Sequence, residues 1–337
     1  MSVPLIFVIG APRSGTTLLE RMLESHSMIL GGPEPHLLTP LAHLGYFDKV
    51  DKAPYDHILA AESQRLFVEQ LPGKEQDYID ACRAYCDVLY GRVLANSGKR
   101  FFLDKTPAYA LVLPFIQKLF PDAKYVVLTR HPLAILSSYA NSFFDGDYQA
   151  AQNYNPILHR YVPAMARFLR EKRAPYFHVR YEDLVTDPET WMGLIYAYLG
   201  VPFEKETINY GEGANDVKPA PGLGDPIGVT QHSRPSTASL NKWATELAGD
   251  SAKLEIAQTI IRQLDPDDLR VFGFPLDGLW TPLDAAQGSA STRRTPLTRY
   301  RLQRKLIVSL RSLAKSNAAF RRLLAKTRLA ADVLLRE

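Results

Sequence analysis

The residues best suited to chemistry lie near the start of the chain, in Gly10-Ala-Pro-Arg-Ser-Gly-Thr-Thr17. Gly10, four residues, Gly15 and a hydroxyl pair have the frame of a phosphate-binding loop. Backbone N–H groups at the opening of a helix make such a loop an anion site. A nucleoside triphosphatase places a Lys after the second Gly to reach the β- and γ-phosphates. Thr16 stands there in this chain, and Arg13 lies inside the loop. The expectation is that Arg13, Ser14, Gly15, Thr16 and Thr17 hold a phosphate of a nucleotide that is not a triphosphate.

A second group points the same way. Lys124-Tyr-Val-Val-Leu-Thr-Arg-His-Pro132 reads as a buried strand ending in Arg130, and Leu133 to Phe144 reads as a helix with Ser138 in its early turns. A guanidinium at a strand end and a hydroxyl on the following helix can grip one phosphomonoester from two sides. Two phosphate sites without the Walker Lys imply a nucleotide phosphorylated at two positions.

These groups need a scaffold that brings distant segments together. Leu5 to Ile9 reads as a buried strand leading into the loop, with a helix from about Thr16. Residues 55–97 read as mostly helical, with apolar spacing through Ile79, Tyr85 and Leu89. Phe101 to Leu103 reads as a short strand ending at Asp104-Lys105-Thr106-Pro107. A helix over Leu111 to Phe120, a strand over Tyr125 to Leu128, a helix over 156–172 and a strand over Tyr176 to Arg180 follow. Asp187-Pro188 opens a helix that Gly200 closes. Strands alternating with helices predict an α/β fold, a three-layer parallel sheet of P-loop type flanked by helices. Residues 1–283 form its domain, 284–296 a polar linker and 297–337 a basic helical tail. Asn209 to Ser239 lacks periodicity and reads as a functional loop.

With the two cofactor motifs in view, the chain resembles the sulfotransferases that use 3′-phosphoadenosine-5′-phosphosulfate (PAPS). It is similar to bacterial members, to tyrosylprotein-type enzymes and to the sulfotransferase domains of polyketide synthases. The resemblance implies that the Pro-Arg-Ser-Gly-Thr-Thr loop holds the 5′-phosphosulfate and that Arg130 and Ser138 hold the 3′-phosphate. Sulfuryl transfer relies on donors for the equatorial oxygens, a cation on the leaving oxygen and a base for the acceptor proton. Lys105 ends a strand, where open parallel sheets place ligand contacts, and the resemblance implies that it is the catalytic cation. The run Pro33-Glu-Pro-His-Leu-Leu38 is similar to the polyketide-synthase pattern. It implies Glu34 as base, with His36 shaping the site or taking the proton in its place. Tyr181, in Tyr181-Glu-Asp-Leu184, is implied at the adenine end. Lys242, before Trp243, is implied as a cofactor contact, and His232 is a candidate to face the acceptor.

Composition narrows the rest. The chain has 337 residues, 46% hydrophobic and 23% charged, as in an ordinary globular protein. No apolar run spans a bilayer and no secretory signal is read at the N-terminus. Cys82 and Cys86, the only cysteines, sit one helical turn apart without partners for a metal. Free buried thiols and a cytoplasmic location are expected. The net charge of +4 is uneven, because Asp284 to Glu337 holds 13 Lys/Arg and 3 Asp/Glu. The basic character belongs to this tail, which argues against a nucleic-acid surface on the body. Leu302, Leu306, Leu310 and Leu313 form one stripe in the tail. It suits a helix packed on the body, or contact with an anionic membrane or an acidic partner such as a carrier protein.

The expected activity is transfer of the sulfuryl group from PAPS, without a metal, to the hydroxyl of a lipid, a secondary metabolite or a carrier-bound hydroxyacyl chain. The product is adenosine 3′,5′-bisphosphate. The alternatives are a kinase with an altered Walker loop, which would need ATP and Mg²⁺, and a nucleotide-binding protein without turnover.

Overall fold

The computed structural model describes residues 3–32, 34, 38–42, 64–210, 233–286, 317–320 and 323. His36, His232, most of the loop from Asn209 to Ser239 and nearly all of the tail lie outside them.

The first strand, β1 (Leu5–Ile9), is apolar and buried along its whole length, as a strand covered on both faces must be. It lies in the middle of a five-stranded sheet of order β2-β3-β1-β4-β5. The others are β2 (Ile29–Leu30), β3 (Phe101–Asp104), β4 (Lys124–Thr129) and β5 (Tyr176–Arg180). Every pairing is parallel. Phe7 is in register with Asp104 of β3 and with Tyr125 of β4.

Alternation along the strands divides the interior. Phe7, Ile9, Tyr125 and Val127 join one core, while Ile6, Val8, Val126 and Leu128 join the other. The first core is covered by α3 (Glu75–Ala95), α4 (Leu113–Leu119), α5 (Pro132–Phe143) and α7 (Ile157–Glu171). The second is covered by α1 (Thr16–Glu24) and α9 (Pro188–Leu199). Helices α2 (Leu38–Ala42), α6 (Tyr148–Tyr154) and α8 (Tyr181–Thr186) are short connectors. Helices α10 (Lys242–Ala248), α11 (Ser251–Arg262), α12 (Pro266–Val271) and α13 (Thr281–Asp284) follow. The three-layer arrangement is the one expected.

Local signals explain the boundaries. Asp187 caps α9 by accepting from the Thr190 N–H at 3.2 Å, Pro188 begins it, and Gly200 ends it at φ 75°. The helix expected over 111–120 is α4, which begins two residues later at Leu113. A 3₁₀ turn, Pro107–Leu111, precedes α4, because Pro114 fits a first helical turn and Tyr109 is drawn inward to Asp104. The long helical stretch is interrupted before Glu75, where Pro72-Gly73 intervenes and Lys74 takes φ 50°. Its inward face also differs from the expected one. Ile79, Cys82, Cys86 and Tyr90 are buried, whereas Tyr85 and Leu89 are 50% and 37% exposed. Spacings of three and seven from Ile79 lead to the two thiols, and an i+6 step leads to the opposite side. Both cysteines are free. No helix among the described residues is long and apolar enough to cross a membrane.

Candidate active site

The site residues follow the carboxyl ends of the strands. The chain leaves β1 into the phosphate loop, β2 toward Glu34, β3 at Lys105, β4 at Arg130 and β5 at Tyr181. The strand order reverses around β1, and a crevice at that end is where open parallel sheets bind ligands.

The loop after β1 is tightly wound. Arg13 takes φ 69° and Gly15 φ 101°, both in the left-handed region. A Cβ on Gly15 would lie 2.4 Å from Cδ2 of Tyr181, so both backbone angle and ring contact require glycine. No side chain caps the N-terminus of α1 at Gly15. The Leu18 N–H bonds back to the Gly15 carbonyl at 3.0 Å, while the N–H groups of Thr16 and Thr17 have no backbone acceptor among the described residues and are left to a ligand or to water.

The two phosphate motifs form one structure. Arg13 donates from Nε to Ser138 Oγ at 3.1 Å, and Arg130 donates from Nη1 to the Arg13 carbonyl at 2.9 Å. The Arg130 guanidinium lies over the Tyr181 ring, 4.3 Å from its centroid. Tyr181 thus packs against Gly15 and also beneath Arg130, and its hydroxyl is 3.0 Å from Ser239 Oγ. Arg130 is 8% exposed. Burial lowers its pKa, while Tyr181 and Glu182 oppose that shift. Arg130 Nε and Ser14 Oγ are buried without a hydrogen-bond partner, so two donors near the loop are held ready for acceptors.

Beneath Arg130, His131 stacks on Trp243 at 4.4 Å and pairs with the Leu279 carbonyl at 3.0 Å. Burial pulls its pKa down to about 4, against the carbonyl contact and with help from Arg130. Glu182, raised by burial, accepts from the His131 N–H. Lys242 is exposed at the start of α10, while its neighbour Trp243 turns inward. It makes no hydrogen bond or ion pair among the described residues.

The other half of the site surrounds Lys105, which is 2% exposed. Its ammonium pairs with Glu34 and, at 3.2 Å, with Glu20 Oε2. Burial would depress its pKa, but the two carboxylates outweigh that and raise it. Asp104, behind it, is fully buried and accepts from Tyr90 at 2.6 Å and from Tyr109 at 3.1 Å. Burial raises its pKa to about 6, against those hydrogen bonds. Tyr109 also accepts from the Leu38 N–H at 3.1 Å. This ties the end of the Glu34 segment to the strand that carries Lys105.

The structure therefore brings Arg13, Ser14, Gly15, Thr16, Arg130, Ser138 and Tyr181 around one crevice end, and Glu34 against Lys105. Glu20 and Ser239 were not anticipated. Glu20 lies four residues after Thr16 on the same helical face, and both are buried. A charged residue one turn into an otherwise apolar inner stripe was a signal available in the sequence. Ser239 had none, because its role depends on how the late segment returns.

A profile described as the sulfotransferase family matches residues 4–205. The chain belongs to the sulfotransferase family. That span includes every site residue named above except Ser239, Lys242, Trp243 and Leu279. Among its relatives, the nodulation protein NoeE of Sinorhizobium fredii is 39% identical over 40% of this chain and 31% of its own length. The protein-tyrosine sulfotransferase of Drosophila melanogaster is 26% identical over 74% of this chain and 48% of its own. The chain spans about a third to a half of these two relatives. Among solved structures, the sulfotransferase domain of the Synechococcus PCC 7002 olefin synthase is 26% identical, with a TM-score of 0.50, over 79% of this chain and 98% of that domain.

Proposed function

We propose that this chain transfers the sulfuryl group of PAPS to an acceptor hydroxyl. The observation that carries this reading is the convergence of three groups at one end of the sheet. They are the Lys-less phosphate loop, the Arg130–Ser138 pair tied to it through Arg13, and the Lys105–Glu34 pair. Two buried donors without partners, Ser14 Oγ and Arg130 Nε, fit the phosphates of a bis-phosphorylated nucleotide.

PAPS supplies the activated sulfuryl group when bound. Arg13 to Thr17 bind its 5′ end through backbone and side-chain donors, and Arg130 with Ser138 binds the 3′-phosphate. Tyr181 fixes Arg130 from below, and Lys242 adds a positive charge at the late segment. Lys105 neutralises charge on the leaving oxygen. Glu34 takes the proton of the acceptor hydroxyl, with His36 as the other candidate for that proton. Base and cation lie within one hydrogen bond, so both reacting oxygens are served from one point. Arg and Lys supply the counter-charge, and the reading calls for no metal.

The acceptor is a hydroxyl of a lipid, a secondary metabolite or a carrier-bound hydroxyacyl chain. Likeness over nearly the whole of an olefin-synthase sulfotransferase domain supports the last. The basic tail is proposed to dock an anionic membrane or an acidic carrier.

Calorimetry with adenosine 3′,5′-bisphosphate and with ATP–Mg²⁺, on the wild type and Arg130→Ala, tests the cofactor. Selective bisphosphate binding that the substitution abolishes is expected. Tight ATP–Mg²⁺ binding indifferent to a 3′-phosphate would overturn the reading in favour of a kinase.

A further inference from the structure

Glu20 is the member of the Lys105 cluster to which the proposed transfer assigns no role. It is 7% exposed in the middle of α1, and Lys105 is the cation it meets, at 3.2 Å. An ammonium has three N–H donors. Glu34 and Glu20 take two of the three on Lys105, which leaves one for a leaving oxygen. We propose that Glu20 is a positioning residue: it fixes the Lys105 ammonium from the α1 side, so that the third N–H serves the nucleotide while Glu34 faces the acceptor. This inference rests on the sulfotransferase reading of Lys105 and Glu34.

Charge sets a condition on that role. One ammonium between two ionised carboxylates carries a surplus negative charge, a poor receptor for a polyanion. The cluster is neutral only when one carboxyl keeps its proton. Burial raises Glu20 to about 8, with Lys105 opposing and Glu24 and Glu34 adding to the rise. A protonated Glu20 still accepts from Lys105 through its carbonyl oxygen, so it positions the ammonium without adding charge.

The groups facing Glu20 can be named. Glu24 lies one turn on in α1 and is itself raised by burial; Lys105 comes from the end of β3, and Glu34 from the segment after β2. The strands packed on α1, β1 and β2, contribute only apolar side chains. The 3₁₀ turn Lys205–Asn209 meets the far end of the helix, where the Thr207 carbonyl accepts from Ser25. Lys105 is held above its ordinary value and stays charged through mildly alkaline pH.

The test measures nucleotide binding rather than turnover. Adenosine 3′,5′-bisphosphate is titrated into the protein at pH 7 and pH 9, and at pH 8.5 in two buffers of different ionisation enthalpy. The wild type is expected to take up about half a proton or more on binding at pH 8.5, and to bind about tenfold more weakly at pH 9 than at pH 7. Glu20→Gln keeps the contact with Lys105 and cannot ionise. It should match the wild type within about threefold at pH 7, lose the alkaline weakening and take up fewer protons. Glu24→Gln should keep the proton uptake and the alkaline weakening, moved to somewhat lower pH because Glu24 adds to the rise of Glu20. Equal proton uptake in wild type and Glu20→Gln would overturn the inference, as would a wild type with none, a result that needs no variant to fold. In both cases intact bisphosphate selectivity would leave the sulfotransferase reading standing. A wild type that does not bind the bisphosphate would remove both.

Discussion

Arg13 donates from Nε to the Oγ of Ser138 over 3.1 Å, linking residues 125 apart in the chain. One belongs to the loop proposed for the 5′ end of the nucleotide and the other to the pair proposed for the 3′-phosphate. Arg130 reinforces the link through the Arg13 carbonyl. The two anion sites are therefore mechanically one.

That coupling can be measured with ligands that carry one phosphate or two. Ser138→Ala should weaken adenosine 3′,5′-bisphosphate by roughly tenfold, about 1.5 kcal/mol. It should also weaken adenosine 5′-monophosphate by a smaller factor, because Arg13 loses its tether. If the monophosphate binds Ser138→Ala as tightly as wild type, the sites are independent and the coupling is wrong.

Gly15→Ala should destabilise the fold by two separable causes. The positive φ costs about 1 kcal/mol, and the overlap with Tyr181 adds a term of about 1–3 kcal/mol. A drop of several degrees in the thermal midpoint is expected. Adding Tyr181→Ala to Gly15→Ala removes the overlap but leaves the backbone strain. The double variant should thus be more stable than the sum of the single effects predicts, and strict additivity would refute the contact.

Glu34→Gln and Lys105→Met separate binding from chemistry. Bisphosphate affinity should change little in Glu34→Gln, whereas PAPS turnover with a hydroxyl acceptor should fall about 10²–10⁴-fold. Lys105→Met should lose turnover comparably and leave two carboxyls without their cation, at a cost in stability of about 3 kcal/mol or more. Wild-type turnover in Glu34→Gln would move the base to His36.

His131 predicts an acid limit to stability. Its folded-state pKa is depressed to about 4 from an ordinary 6.5, chiefly by burial against Trp243 and Phe274. The unfolded chain then binds the extra proton over that window. The stabilisation is fully present above pH 6.5 and is lost as pH falls toward 4, on the order of 3 kcal/mol. Thermal unfolding at pH 7 and pH 4.5 should show a steeper acid loss in wild type than in His131→Asn. Parallel losses would assign the limit elsewhere, for instance to His178, which burial also depresses.

What could be read from the chain alone followed from local signals. Buried β1, the helix after Gly15 and the strand ending at Arg130 each announce themselves within ten residues, through apolar runs, glycine spacing and a terminal charge. The inward face of α3 did not. Tyr85 and Leu89 are as apolar as the residues that pack, and only the neighbouring layer selects Ile79, Cys82, Cys86 and Tyr90. Site membership behaved likewise. Arg13, Lys105 and Arg130 follow strand ends, whereas Glu20 and Ser239 enter by the approach of elements far apart in sequence. The pairing of Lys105 with two carboxylates, rather than one, is a tertiary fact.

The two-residue strand β2 lies at the margin of the sheet and, among the described residues, pairs only with β3. The segment it launches carries Glu34, while the phosphate loop and Arg130 follow the inner strands β1 and β4. Fraying of this edge would disengage the proposed base long before the proposed nucleotide cradle melts. Amide exchange should accordingly be fastest at Ile29 and Leu30 within the sheet. Under the proposed reading, a protein built this way can retain its donor while its acceptor side opens, and its choice of acceptor can be altered from the rim inward without rebuilding the centre.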